Sequence, residues 1–207
     1  RIKILVKETG RDKFAALVKE EWSRIRGDAL DLHNAEINRI RAYFAPPLYD
    51  LTPAPDTEYQ TARRADREFD RWCASNVIPN KQPGYGIVNI SLKPTGMAPG
   101  DATADQLDIL ADLAETYSFD ELRITHKQNI VLGHVRQADL HTVWRQLDAA
   151  GLATANIGLA SDIIACPGLD YCNLANARSI PVAQRISERF ADPDQLARIG
   201  ALRINIS

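Results

Sequence analysis

Apolar and polar positions alternate with helical period through the first part of the chain. Phe14, Leu17, Val18, Trp22 and Ile25 fall three and four residues apart, which predicts an amphipathic helix over 11–26. Gly27 ends it and Asp28 can cap a second helix, running to about Phe44, with Ile37, Ile40, Tyr43 and Phe44 as its apolar stripe. Pro46-Pro47 stops that helix. Six prolines between Ala45 and Gly84, among them Pro53, Pro55, Pro79 and Pro83, mark connector material. One helix interrupts it, about Glu58 to Ala74, with Phe69, Trp72 and Cys73 on one face and Arg63, Arg64, Asp66 and Arg67 on a solvated one.

The clearest unit covers 86–150. Residues 86–92 read as a strand with Val88, Ile90 and Leu92 on one face, followed by a loop from Pro94 to Gly100. Thr103 with Gln106 forms a capping box for a helix carrying Leu107, Leu110 and Leu113. Two short strands, Leu122 to Thr125 and Ile130 to Val135, flank a tight connection. Leu140, Val143, Trp144 and Leu147 mark a further helix closed by Gly151. The order β-α-β-β-α is a ferredoxin-like half-unit, so the fold class is α+β with an antiparallel sheet. The unit does not recur within the chain. Beyond it, Asn173 to Phe190 reads as a helix that Pro181 should kink or divide, Asp192-Pro193-Asp194 as a turn or cap, and Leu202 to Ser207 as a strand.

Composition excludes more than it assigns. The chain has 207 residues, 45% hydrophobic and 25% charged, with a formal net charge of −2. Nothing in that balance points to nucleic acid or an acidic membrane surface. No apolar run approaches the roughly 20 residues that span a bilayer, and the first residues lack the apolar stretch of a signal peptide. Three cysteines without an export signal suit a reducing cytoplasm. Arg1 is not an initiator methionine, the only methionine is Met97, and the last residues form a bare strand, so the chain reads as a piece of something longer.

The sharpest chemical signal is Ala-Cys-Pro-Gly-Leu-Asp-Tyr-Cys-Asn-Leu-Ala, with Cys166 and Cys172 in a Cys-x5-Cys spacing and the second at the mouth of the expected helix. Thiolates near a helix N-terminus suit soft metals and iron–sulfur clusters, which usually need four of them. The spacing alone also admits plain buried thiols, whereas a disulfide is disfavoured without an export signal and a zinc site normally needs four ligands, often in closer pairs. His33, His126, His134 and His141 are scattered and form no ligand cluster, and Cys73 reads as core.

The whole stretch resembles the first cluster-cysteine motif of the sirohaem-dependent nitrite and sulfite reductases. Leu122-Arg-Ile-Thr-His-Lys-Gln-Asn-Ile130 is similar to that family's strand–turn–strand reaching the sirohaem, and residues 1–18 resemble the end of its first half. The resemblance implies four segments: 1–26 as the end of a preceding domain, 27–84 as a helical Pro-rich connector, 85–150 as the ferredoxin-like half-domain, and 151–207 as the start of a sirohaem and cluster domain. It puts Cys166 and Cys172 on a [4Fe–4S] cluster whose other two ligands come from a later Cys-x3-Cys pair. It puts Gln128 and Asn129 at the sirohaem, with Arg123 and Thr125 on the cofactor face of the strand and Lys127, with His126, adding positive charge. Sirohaem carries many carboxylates, which amides, lysine and arginine can bind. Asn173 and Arg178 either donate to the cluster or decorate a helix.

The implied reaction is the six-electron reduction of sulfite or nitrite, with ferredoxin or an NADPH flavoprotein as donor. The family's other half, absent here, carries the basic residues that hold the oxyanion. The chain alone is then expected to be inactive, with neither cofactor complete. Two other classes stay open: a non-catalytic ferredoxin-like binding module, and a small zinc or redox-thiol protein.

Overall fold

The computed structural model describes residues 1–27, 30–50 and 57–207, which fall into two compact units, Arg1–Leu48 and Tyr49–Ser207. Asp28, Pro53 and Pro55 lie outside the described residues.

The first unit holds three helices: α1 (Ile2–Thr9), α2 (Arg11–Ile25) and α3 (Asn34–Tyr43). Gly10, at φ 84°, breaks the chain between α1 and α2, a conformation that costs glycine little. The stripe expected on α2 is present, but Leu17, Val18, Trp22 and Ile25 are exposed, and none of the three helices buries a residue. The second helix is shorter than its periodicity suggested, with His33 at its N-cap position.

The second unit begins with α4 (Thr57–Ala65) and α5 (Arg67–Asn76). One helix was expected here. Asp66 divides it, because its carboxylate accepts the N–H groups of Glu68 and Phe69 and starts a new helix. Arg63 leaves the solvated face to pair with Asp70 at 2.6 Å and lie over the Tyr59 ring. Strand β1 (Val77–Pro79), unforeseen in the proline-rich stretch, pairs antiparallel with β2 (Tyr85–Ser91). Pro79 is tolerated because β1 lies at the sheet edge.

Next come α6 (Ala104–Tyr117), β3 (Leu122–Ile124), β4 (Asn129–Arg136) and α7 (Leu140–Ala149). The sheet order is β1-β2-β4-β3, antiparallel throughout, with a bulge in β2 between Gly86 and Val88. The capping box of Thr103 and Gln106 forms as read, and Gly151 closes α7 at φ 70°. Val88, Ile90, Ile130 and Leu132 of the strands share one core with Phe69 and Trp72 of α5, Leu110 and Leu113 of α6, and Trp144 and Leu147 of α7. The fold class is therefore mixed helix and antiparallel sheet. The proline-rich stretch contributes two helices and an edge strand to this body.

The remainder is a smaller lobe: β5 (Ile164–Ala165), α8 (Ile180–Arg189), α9 (Pro193–Ile199) and β6 (Asn205–Ile206). β5 and β6 pair in parallel, and Ile163, Ala165 and Ala183 form a second small core. The helix expected from Asn173 does not form. It starts at Ile180, with Pro181 in its first turn, where the missing N–H costs nothing. Asp192 caps α9 by accepting from the Asp194 N–H.

Candidate functional site

Thr125 to Gln128 form the turn between β3 and β4. The Thr125 hydroxyl accepts the N–H groups of Lys127 and Asn129, each at 3.2 Å, so its side chain shapes the turn. Gln128 sits at φ 56°, the left-handed region that side chains rarely adopt. That conformation turns its carboxamide toward β5. Its nitrogen donates to the Ala165 carbonyl at 2.8 Å, and its oxygen accepts the Ala165 N–H at 3.0 Å.

The next residue, Cys166, begins the cysteine loop. Its N–H donates to the Ile206 carbonyl at 2.8 Å, which continues the β5–β6 ladder. The loop folds on itself: Leu169 N–H reaches the Ala177 carbonyl at 3.1 Å, and the Ser179 hydroxyl bonds the Cys166 carbonyl. Gly168, at φ 63°, lies so close to Ala177 and Ser179 that a Cβ would meet their oxygens at 2.7 Å. Cys172 does not stand at a helix mouth as expected. It follows a 3-10 turn, Gly168–Asp170, and its N–H bonds the Gly168 carbonyl at 2.8 Å. Cys166 is exposed and Cys172 half-buried, both as free thiols.

Turn and loop meet along one groove of about 880 Å³. Thr125, Gln128 and Asn129 line it from the turn, and Ala165, Pro167 and Tyr171 from the cysteine segment. Leu107, expected to be buried, is half exposed and contributes to the apolar wall with Met97. Such an open, largely apolar trough with a few placed polar groups suits a small-molecule ligand.

Other residues singled out from the sequence sit elsewhere. Arg123 pairs with Glu121 at 2.5 Å and does not line the groove. Lys127 borders a separate cavity of about 360 Å³ with Arg203. Arg178 lies 3.6 Å from Asp170, within the cysteine loop. Asn129 lines the groove but is buried, and its amide donates to Asp162 at 3.0 Å.

The sequence reading missed Lys93 and Asp162. Their side chains are 2% and 5% exposed, with Nζ 2.5 Å from Oδ1. Burial pushes the Lys93 ammonium below its ordinary range, and the hydrogen bond to Asp162 opposes that shift. The available signal was an isolated charge in each of two apolar runs, since a buried charge demands a partner.

Among the described residues, no three of His, Cys, Asp and Glu gather as a metal site. Cys166 and Cys172 are accessible free thiols and so have the chemistry of thiolate ligands. Cys73 does not, because it is buried in the main core, where burial pushes its thiol up to about 12.

These features define an α+β unit whose sheet hairpin and cysteine loop share a ligand-sized trough. Residues 81–150 match the family model described as the nitrite/sulfite reductase ferredoxin-like half domain. Through this segment the chain is similar to the nitrite and sulfite reductases. A ferredoxin–nitrite reductase of Synechococcus elongatus is 32% identical over 121 residues, covering 56% of this chain and 23% of that protein. A sulfite reductase [ferredoxin] of Mycolicibacterium paratuberculosis is 26% identical over 198 residues, covering 93% and 28%. The solved structure of the Mycobacterium tuberculosis NirA protein shares the fold, with a TM-score of 0.55 and 21% identity over 100% of this chain and 31% of that one. The chain thus spans about a quarter of the length of the curated relatives named here. Among the described residues no helix is long and apolar enough to cross a membrane.

Proposed function

We propose that this chain forms one wall of the cofactor chamber of a nitrite or sulfite reductase acting in the cytoplasm, and that it works only together with the rest of that enzyme. The observation carrying this reading is the meeting of the 125–129 turn and the Cys166–Cys172 loop on one groove. Cys166 and Cys172 would hold two corners of a [4Fe–4S] cluster, and the groove would seat one side of a sirohaem. When bound, these groups supply the electron transfer for six-electron reduction of the oxyanion.

The chain's own residues hold and orient. Met97, Leu107 and Ile124 offer apolar contact along the groove. The remaining N–H of the Gln128 amide is free to donate to a macrocycle carboxylate, because one N–H and one lone pair are used on Ala165. The Cys loop, closed by its own backbone hydrogen bonds, presents two thiols without a helix dipole behind them. Ferredoxin is favoured as donor over an NADPH flavoprotein, since the two relatives are named for it.

The test is cofactor content in the intact enzyme. Cys166→Ser and Cys172→Ser should each lose cluster iron, acid-labile sulfide and nearly all activity, because a serine oxygen is a harder and poorly acidic ligand. Full sulfide content and activity in Cys166→Ser would sink the cluster assignment and leave a binding module as the better reading.

A further inference from the structure

A charged pair buried this deeply is costly unless its geometry does something else. Lys93 sits just past the end of β2, and its ammonium reaches two segments at once. One hydrogen bond goes to the Lys127 carbonyl, inside the turn, and the other to Asp162, on the loop before β5. Asp162 also accepts from the Asn129 amide at 3.0 Å and from the Gly158 N–H at 2.9 Å. The Asn156 amide bonds the Lys93 carbonyl at 3.2 Å and so fixes the backbone of the lysine itself. The end of β2, the turn and the 156–162 loop thus meet at a single side chain. From the turn, Gln128 carries the connection to Ala165, next to Cys166.

We propose that Lys93, through its pairing with Asp162, is a positioning residue: it sets the backbone of the 125–129 turn and, through Gln128, the strand that presents Cys166. The functional weight of this inference rests on the reading of the groove as a cofactor wall, but its geometry does not. Lys93 carries out no chemistry on a substrate. It supplies a compact charge with three donors at a point where the turn's carbonyl takes one of its hydrogen bonds and the buried carboxylate would otherwise lack a countercharge.

The pair can be dissected with Lys93→Met and with the double variant Lys93→Met, Asp162→Asn, both in the full chain. Lys93→Met leaves a buried carboxylate uncompensated and is expected to lower global stability. The double variant removes both charges, which avoids that penalty, and the asparagine introduced at position 162 still accepts from the Gly158 N–H. Neither methionine variant can donate to the Lys127 carbonyl.

Two local readouts follow, amide exchange and thiol alkylation under native conditions. In the double variant the Ala165 and Gln128 amides should exchange about tenfold faster, the effect of losing roughly one hydrogen bond to a charged group, while Leu113 and Leu147 stay near their original rates. Cys166 should alkylate several-fold faster, with Cys172 little changed. Should Ala165 accelerate only by the factor seen at Leu147, or not at all, the pair is merely structural and the proposal is overturned. If the double variant fails to fold, Asp162→Asn decides: it removes the pairing that holds Lys93 in place, so Ala165 must lose protection in it, and unchanged Ala165 protection overturns the proposal. Sirohaem and iron content of the same variants in the intact enzyme tests the cofactor reading separately, because a disordered turn with no effect on content would overturn that reading alone.

Discussion

Gln128 and Ala165 exchange two hydrogen bonds, amide to carbonyl at 2.8 Å and backbone N–H to amide oxygen at 3.0 Å. A side chain here does what a neighbouring strand would do, satisfying both backbone groups of a residue in the two-residue strand β5. The left-handed φ of Gln128 and its seat against Gly100, where an added Cβ would come within 3.0 Å, hold the amide in that place.

Substitution at 128 should therefore loosen the cysteine strand before it disturbs anything else. Gln128→Ala leaves both Ala165 groups without this partner, at a cost of about 1–3 kcal/mol if they stay buried. Gln128→Glu can still accept the N–H but has no donor for the carbonyl, and should fall between. Hydrogen exchange at Ala165 checks this. Equal protection in all three proteins would show that the pair contributes nothing.

The sequence revealed the half-domain well because its signals agree at every level. Val88 and Ile90 alternate onto one face, Thr103 and Gln106 cap α6, and Leu140 to Leu147 fall at helical spacing; the structure buries or bonds each of them. The groove was legible only in outline. Thr125, Gln128 and Asn129 do line it, but the internal partners of their side chains depend on tertiary neighbours that no local pattern encodes. Lys93 and Asp162 are 69 positions apart and meet only after the sheet and the β5 loop pack. The error after Cys172 had a different source. Asn173 to Phe190 reads as one helix that Pro181 would kink or divide, whereas Pro181 is better placed at a helix start than inside one.

Gly168→Ala should disrupt the cysteine loop selectively. Its new Cβ would meet the Ala177 carbonyl and the Ser179 hydroxyl at 2.7 Å, and the residue would stand in the left-handed region at φ 63°. Strain and overpacking together cost about 1–3 kcal/mol, less whatever the loop recovers by moving. Because the loop lies outside the main core, Tm should fall little while Cys172 alkylates faster. Unchanged alkylation at Cys172 would count against tight closure of the loop.

Asp66→Ala tests why α4 and α5 are two helices. The carboxylate caps α5 through two backbone N–H groups, and its loss should cost about 1 kcal/mol. The effect should appear as global stability in urea, since α5 carries Phe69 and Trp72 into the core. A midpoint unchanged from the parent would mean that the Asp66 cap adds nothing measurable.

The three thiols should separate cleanly by environment. Cys166 and Cys172 are accessible and should react with a thiol reagent in the native state, whereas Cys73 should react only on unfolding. Burial raises the Cys73 thiol from an ordinary 9.0 to about 12. Between those values the unfolded chain has lost this proton and the folded chain still holds it. Folded protein then binds more protons, so stability falls as pH rises from about 9 toward 12 and is unaffected by this group below 9. A tenfold difference in proton affinity between the two states is worth about 1.4 kcal/mol, so the contribution amounts to a few kcal/mol at most. Tyr59, beside Cys73, is also raised to about 12, chiefly by burial, and adds a loss of the same sign above its ordinary 10.0. Cys73→Ala should flatten the decline between about pH 9 and 10, where tyrosine does not yet contribute, even though the cavity lowers stability at every pH. Parallel alkaline denaturation profiles of the two proteins over that interval would show that the Cys73 thiol is not held protonated by the core.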